Sequence, residues 1–172
     1  MNFTIERAMS SDYPIFADMI QSVWKHMEHP EWFAADNADY LSRTLLPGHG
    51  IGYKAIEKDA GTVAGIFLVA LPGLDESNMG YDIHLPEESL PLVAHMDSVA
   101  ILPQYRGHHL QYRMMQKAEA DLRSLGMRYL LCTVHPDNHY SRDNIIKQGY
   151  AFVLQKMKYN GAVRDIFLKQ LT

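Results

Sequence analysis

The sequence predicts one mixed α/β domain over residues 1–172. Two observations lead there. Apolar stripes of helical period alternate with short β-rich runs along the whole chain. No linker, internal repeat or low-complexity tract divides it, and 172 residues suffice for a single hydrophobic core.

Residues 3–9 read as a short strand. Ser10 or Ser11 then offers a hydroxyl to cap a helix, with Pro14 in the first turn, where its missing N–H costs least. Phe16, Met19, Ile20, Val23, Trp24 and Met27 form one helical stripe, and Pro30 ends it. Residues 38–46 form a shorter helix stopped by Pro47-Gly48. Residues 51–57 and 62–71 read as two strands joined by Lys58-Asp59-Ala60-Gly61. Residues 72–91 are rich in turn formers and read as a surface loop with a short strand at Tyr81-Asp82-Ile83; specificity is expected there. Residues 93–102 are a strand halted by Pro103. Residues 106–125 are a helix with Leu110, Met114, Ala118, Leu122 and Leu125 on one face and Gly126 as its cap. Residues 129–134 form a buried strand, 135–148 a polar turn and short helix, and 150–159 with 163–171 a hairpin around Asn160-Gly161.

Composition narrows the function. Sixteen Lys and Arg against twenty Asp and Glu give a net charge of −4, without the basic excess of a nucleic-acid binder. The single Cys132 excludes an internal disulfide framework and an all-cysteine zinc site. No apolar run is long enough for a bilayer, and the N-terminus lacks a secretion signal, so no membrane partner and a cytoplasmic location are expected. His26 and His29 lie three apart and His135 and His139 four apart, but Pro30 and Pro136 interrupt the helices such pairs would need. No metal site is expected.

The chemistry concentrates at Ile101-Leu102-Pro103-Gln104-Tyr105-Arg106-Gly107-His108-His109-Leu110-Gln111, where a strand enters a tight turn and a helix begins. Unpaired amides at a helix start attract anions, and Arg106 adds a full positive charge. A phosphate or pyrophosphate suits such a place; a plain strand-to-helix turn with an exposed Arg fits equally.

This segment resembles the acyl-CoA-binding motif of the GNAT superfamily of N-acetyltransferases, Val-x-Pro-x-Tyr-Arg-Gly-x-Gly, with His109 and Gln111 standing where that motif has Gly and Gly or Ala. A second block, Thr133-Val134-His135-Pro136-Asp137-Asn138-His139-Tyr140-Ser141 followed by Gly149-Tyr150, is similar to the family's Asn-x-x-Ala/Ser helix. The resemblance implies a central, mostly antiparallel sheet flanked by helices and an acetyl-CoA co-substrate. It also implies transfer to the amine of a small molecule or peptide by direct attack. By the same resemblance Val99 and Ile101 would hold pantetheine and the thioester carbonyl through their main chains. Arg106, Gly107, His108, His109, Leu110 and Gln111 would hold the diphosphate, and Asn138 with Ser141 the pantetheine arm.

The general base in this family often lies farther back on the same strand. His95 and Asp97 stand at strand spacing two with Val99 and Ile101, so all four are expected on one face. His95 would act as base, with Asp97 acting through water or orienting it. The usual acid, a Tyr seven residues after the motif Asn, is here Ile145; Tyr140, Ser141 or solvent would protonate the thiolate. Trp24, Trp32, Phe33 and Tyr40 cluster in the first helical pair, where the resemblance implies the acceptor pocket; most are expected in the core, while Trp32 and Phe33 fall outside the helical stripe and suit a pocket wall, with Glu28, Glu31 and Asp36 suited to a cationic amine. The competing reading is a non-catalytic acyl-CoA-binding module, and a homodimer is left open.

Overall fold

A computed structural model of the chain describes residues 1–158 and 161–172. Seven strands form one sheet: β1 (Phe3–Arg7), β2 (Gly50–Glu57), β3 (Thr62–Ala70), β4 (Val93–Ile101), β5 (Tyr129–Val134), β6 (Ala151–Lys158) and β7 (Ala162–Gln170), in spatial order β1-β2-β3-β4-β5-β7-β6. Among the described residues only β4 and β5 pair in parallel; every other neighbouring pair is antiparallel. Among the described residues four α-helices flank the sheet: α1 (Tyr13–Lys25), α2 (Ala38–Thr44), α3 (Leu110–Ser124) and α4 (His139–Lys147).

The helical stripes decide which helix covers which face. Leu110, Met114, Ala118 and Leu122 are fully buried where α3 packs on β2, β3 and β4, in one cluster with Ile145 of α4. Leu125, expected on the same stripe, follows the last turn of α3 and stays half exposed. On the opposite face Phe16, Met19, Ile20 and Val23 of α1 pack with Leu41 and Leu45 on Ile66, Leu68 and Ala100. Each such full burial stabilises by roughly 1.5–3 kcal/mol. Trp24 lies at the edge of that stripe and donates its Nε1–H to the Pro30 carbonyl (3.2 Å).

Several local expectations change. Neither Ser10 nor Ser11 caps α1; Asp12 does the local work, accepting from the Met9 amide (2.8 Å) and from Lys54 Nζ (2.9 Å). The helix expected from residue 106 begins at Leu110, because Gly107 (φ +82°) and His109 (φ +56°) hold the preceding turn in left-handed backbone. Residues 72–91 contain no strand at Tyr81-Asp82-Ile83. The buried Asn78 side chain bonds the Gly73 carbonyl (2.7 Å), the Leu90 carbonyl (3.1 Å) and the Gly80 amide (2.8 Å), folding the segment into consecutive turns. Met79 from this loop packs with Val93, Leu131 and Ile166 as a third apolar cluster. Of the expected Asn160-Gly161 turn, Asn160 lies outside the described residues.

Candidate active site

The turn between β4 and α3 is pinned from below. Phe3 packs against Tyr105 and His108 (ring centroids 5.9 and 5.1 Å apart), and Arg113 donates to the Phe3 carbonyl (2.8 Å). Leu110 is buried, which fixes where the helix starts. Among the described residues the N–H groups of Gly107 through Tyr112 meet no acceptor, and the exposed Arg106 stands at the same turn. A helix leaves its first amides unpaired, and its dipole adds partial positive charge. The open space beside Gly107 lets an anion reach these amides. His108 is turned toward Phe3, while His109 is exposed and Gln111 faces the neighbouring cleft.

That cleft exists because β4 and β5 separate. Among the described residues they pair at Val93–Tyr129, Ala94–Leu130 and His95–Leu131, next to a backbone bond from the Arg128 amide to the Leu92 carbonyl (2.9 Å). Beyond this the strands diverge, leaving a narrow cleft of about 40 Å³ lined by Met96, Asp97, Val99, Gln111, Thr133 and Ser141, with Ile145 at its wall. Asn138 accepts from the Ser141 amide (3.1 Å), so it caps α4 and places Ser141 at the cleft. The main chains of Val99 and Ile101 belong to the diverging part of β4.

The expected common face of His95, Asp97, Val99 and Ile101 is not what forms. Leu68 pairs with Ser98 and Val69 with Met96, so Asp97 is an extra residue without a partner on β3. A bulge of this kind breaks the period of two. Val99 and Ile101 pack with the α3 cluster, whereas His95, Asp97 and Ser98 bond to groups on the opposite face.

On that opposite face two apolar clusters, one under α1 and α2 and one under Met79, are separated by polar groups. The Tyr40 hydroxyl donates to Asp97 Oδ2, and the Ser98 hydroxyl donates to Asp36 Oδ2. Trp32 stacks on His29 (4.2 Å) and lies nearly parallel to His135 (6.2 Å). Arg164 donates to the Glu31 carbonyl (2.9 Å). Phe33 instead joins the packing around α1.

Burial and the neighbouring Asp36 charge push the Asp97 carboxyl well above the usual carboxylate range, and burial pushes Asp36 up as well. His95 goes the other way. Burial lowers its pKa to about 4, and its Nε2 accepts the Met79 amide (3.0 Å), which occupies the lone pair a base would need. Tyr140 is 87% exposed and Ile145 only 2% exposed, so the cleft wall at that point carries a hydrocarbon and no phenol. Ser141 is the hydroxyl at the cleft. The sequence marks Tyr40 only as one of the aromatic cluster of the first helical pair and gives Ser98 no signal, because their partners lie 57 and 62 residues away.

The pattern of the Acetyltransferase (GNAT) family matches residues 13–150. The chain belongs to the GNAT family. No curated protein sequence matches it. Among solved structures, this GNAT domain is similar to Arabidopsis thaliana NAA60 in complex with acetyl-CoA, at 10% identity, 99% coverage of both chains and TM-score 0.76. It is also similar to a ribosomal-protein-alanine N-acetyltransferase from Brucella melitensis, at 15% identity, 98% coverage of this chain, 99% of that one and TM-score 0.72. A third is a putative acetyltransferase from Salmonella typhimurium with its cofactor acetyl-CoA, at 16% identity, 99% and 94% coverage and TM-score 0.69. At these identities the likeness is one of fold. Among the described residues no helix of this GNAT domain is long and apolar enough to cross a membrane.

Proposed function

We propose that this chain is an N-acetyltransferase that moves an acetyl group from acetyl-CoA to an amine by direct attack, with Asp97 as the general base. The observation that carries the reading is continuity. One cleft runs from Gln111 and Ser141, beside the unpaired amides of residues 107–112, to Asp97 on the bulge of β4. A diphosphate suits the amides and Arg106. The arm of the ligand suits the gap between β4 and β5, where the Val99 and Ile101 main chains and the Asn138 side chain would hold it. When bound, acetyl-CoA supplies an electrophilic thioester carbonyl and a thiol leaving group.

The protein's own part is proton handling and placement. Acceptor amines enter largely as ammonium ions near neutral pH, so one proton must leave before nitrogen can attack. Asp97 takes it: its raised pKa brings carboxylate basicity closer to neutrality. His95 is committed to Met79 and serves the loop. Ser141 and solvent are the proton sources left for the thiolate. The buried Cys132 thiol, pushed up to about 12, is no nucleophile, in keeping with direct attack. The acceptor is the amine of a small molecule or a peptide; the Brucella neighbour is named for a protein alanine. A cytoplasmic setting fits this chemistry.

Calorimetry with CoA, plus thiol release from acetyl-CoA with spermidine, lysine, tyramine and an alanine-initiated peptide, tests the reading. Binding heat and release with at least one amine are expected. Asp97→Asn should lower kcat by about 100-fold or more, the usual scale for a lost general base. No heat at millimolar CoA overturns the reading, and binding without release on any amine points to an acyl-CoA-binding module.

A further inference from the structure

We propose that Tyr40 is a positioning residue for this acetyl transfer: its phenol, reaching from α2 to the bulge of β4, holds Asp97 by Oδ2 and presents Oδ1 to the acceptor amine. The proposal rests on Asp97 being the base. It makes a residue of the first helical pair part of the proton-transfer apparatus.

Three observations support it. First, the bulge leaves Asp97 without a strand partner on β3, so its carboxylate is oriented by what meets it from outside the sheet. Tyr40 Oη is the group that does so, and among the described residues Oδ1 has no hydrogen-bond partner. Second, Tyr40 is itself held at both ends. Its amide donates to the capping Asn37 side chain (2.8 Å), and the next residue, Leu41, is buried under α1. A donor fixed this way loses little freedom when it binds the carboxylate. Third, the connector before α2 is fastened to the residue beside Asp97, through Ser98 Oγ and Asp36 Oδ2, and Gln21 Nε2 holds the Asp36 carbonyl (3.3 Å). The first helical pair and the bulge are therefore tied together by hydrogen bonds.

Among the described residues, polar and aromatic groups come to the site of Asp97 from several elements. Tyr40 comes from α2, Asp36 from the connector, Ser98 and the uncharged His95 from β4, Cys132 and Thr133 from β5, Phe67 from β3, Gln111 from α3 and Ser141 from α4. None of these described groups is a cation, and the Tyr40 hydroxyl bond favours the charged carboxylate. In the reaction two N–H bonds of the acceptor ammonium break: the first proton forms the Oδ1–H bond of Asp97 before attack, and the second leaves the acylated nitrogen and passes through solvent, balancing the proton that the thiolate takes up. The electron pair stays on nitrogen and makes the new N–C bond, the C–S electron pair leaves on sulfur, and a proton goes to the thiolate.

Carbon-13 NMR of the Asp97 carboxyl, assigned with Asp97→Asn, tests this without needing an acceptor. In Tyr40→Phe the titration midpoint should rise by about one pH unit, because a donor to the charged form has gone. The acid limb of kcat/KM should rise with it, while KM for acetyl-CoA stays unchanged. Site-specific 3,5-difluorotyrosine at position 40, a stronger donor of the same shape, should move the midpoint the other way and guards against a folding artefact. Midpoints that coincide in all three proteins overturn the proposal. Full activity in Asp97→Asn would instead overturn the base assignment beneath it.

Discussion

The Met79 amide donates to Nε2 of His95, so one imidazole fastens the loop of residues 72–91 to the central strand β4. The bond needs a neutral ring, and burial supplies one by lowering the pKa to about 4. In the unfolded chain the same ring titrates near 6.5. The folded state therefore binds fewer protons between these values. The stabilisation is whole above about pH 6.5 and is lost as pH falls through about 4. Its ceiling is on the order of 3 kcal/mol. His95→Gln keeps an acceptor for Met79 but does not titrate. Urea melts of both proteins from pH 7.5 to 4 should show the variant losing less stability on acidification.

Asp36 and Tyr40 act on Asp97 with opposite signs. The Asp36 charge raises the Asp97 pKa and the Tyr40 bond lowers it. Activity that needs the carboxylate falls as pH drops through that raised value, above the usual 4 or so of an aspartate. Asp36→Asn keeps an acceptor for Ser98 and removes the charge. The acid limb of kcat/KM is expected to move downward in this variant; an upward move would contradict the assignment.

Asn78 is the device that folds the loop. Asn78→Ala leaves a buried amide and two carbonyls without their partners. At roughly 1–3 kcal/mol for an unsatisfied buried group, a loss of about 3 kcal/mol is expected. Thermal melts should show Tm lower by roughly 6–12 °C. A fall below about 2 °C would mean that the apolar contacts of Met79 suffice to hold the loop.

His109 occupies left-handed backbone at φ +56° where the family motif has glycine. His109→Gly removes the steric cost but loosens the unfolded chain, so a change within about 1 kcal/mol is expected. His109→Val should destabilise by roughly 2 kcal/mol, since a branched side chain tolerates this conformation poorly. Calorimetry should give CoA affinity within about threefold of wild type for the glycine variant, because the backbone amides are the ligands assigned. A tenfold loss would assign the imidazole a direct role.

Cys132 lines the wall of the core beside the cleft and is buried. If attack is direct, Cys132→Ala keeps kcat within about twofold, at a stability cost of about 1 kcal/mol for a small cavity. A hundredfold drop in steady-state thiol release would revive a covalent route.

The helices and most strand positions were legible because they follow burial periodicity: Phe16, Met19, Ile20 and Val23 bury as spaced. The turn at Arg106-Gly107 was legible because glycine and a strand stop leave few alternatives there. The bulge was not. It is a mismatch between Leu68-Val69 and Met96-Ser98, a property of two strands that no single run of residues displays. Period-two counting therefore put Val99 and Asp97 on one face and led to His95 as base. The turns around Asn78 were hidden for a related reason, since its partners Gly73 and Leu90 lie on both sides of it. Tyr40 read as one more aromatic residue until the sheet brought Asp97 to it.

The short zip between β4 and β5 also has a mechanical meaning. Three residue pairs and the Arg128–Leu92 backbone bond before them hinge two half-sheets, and past His95 and Leu131 no further strand pairing laces the halves among the described residues. A ligand lying in it would serve as the missing rungs, so occupancy should be felt by the entire molecule as slower amide exchange on both banks, and by the cell as a longer-lived protein wherever the thioester is plentiful.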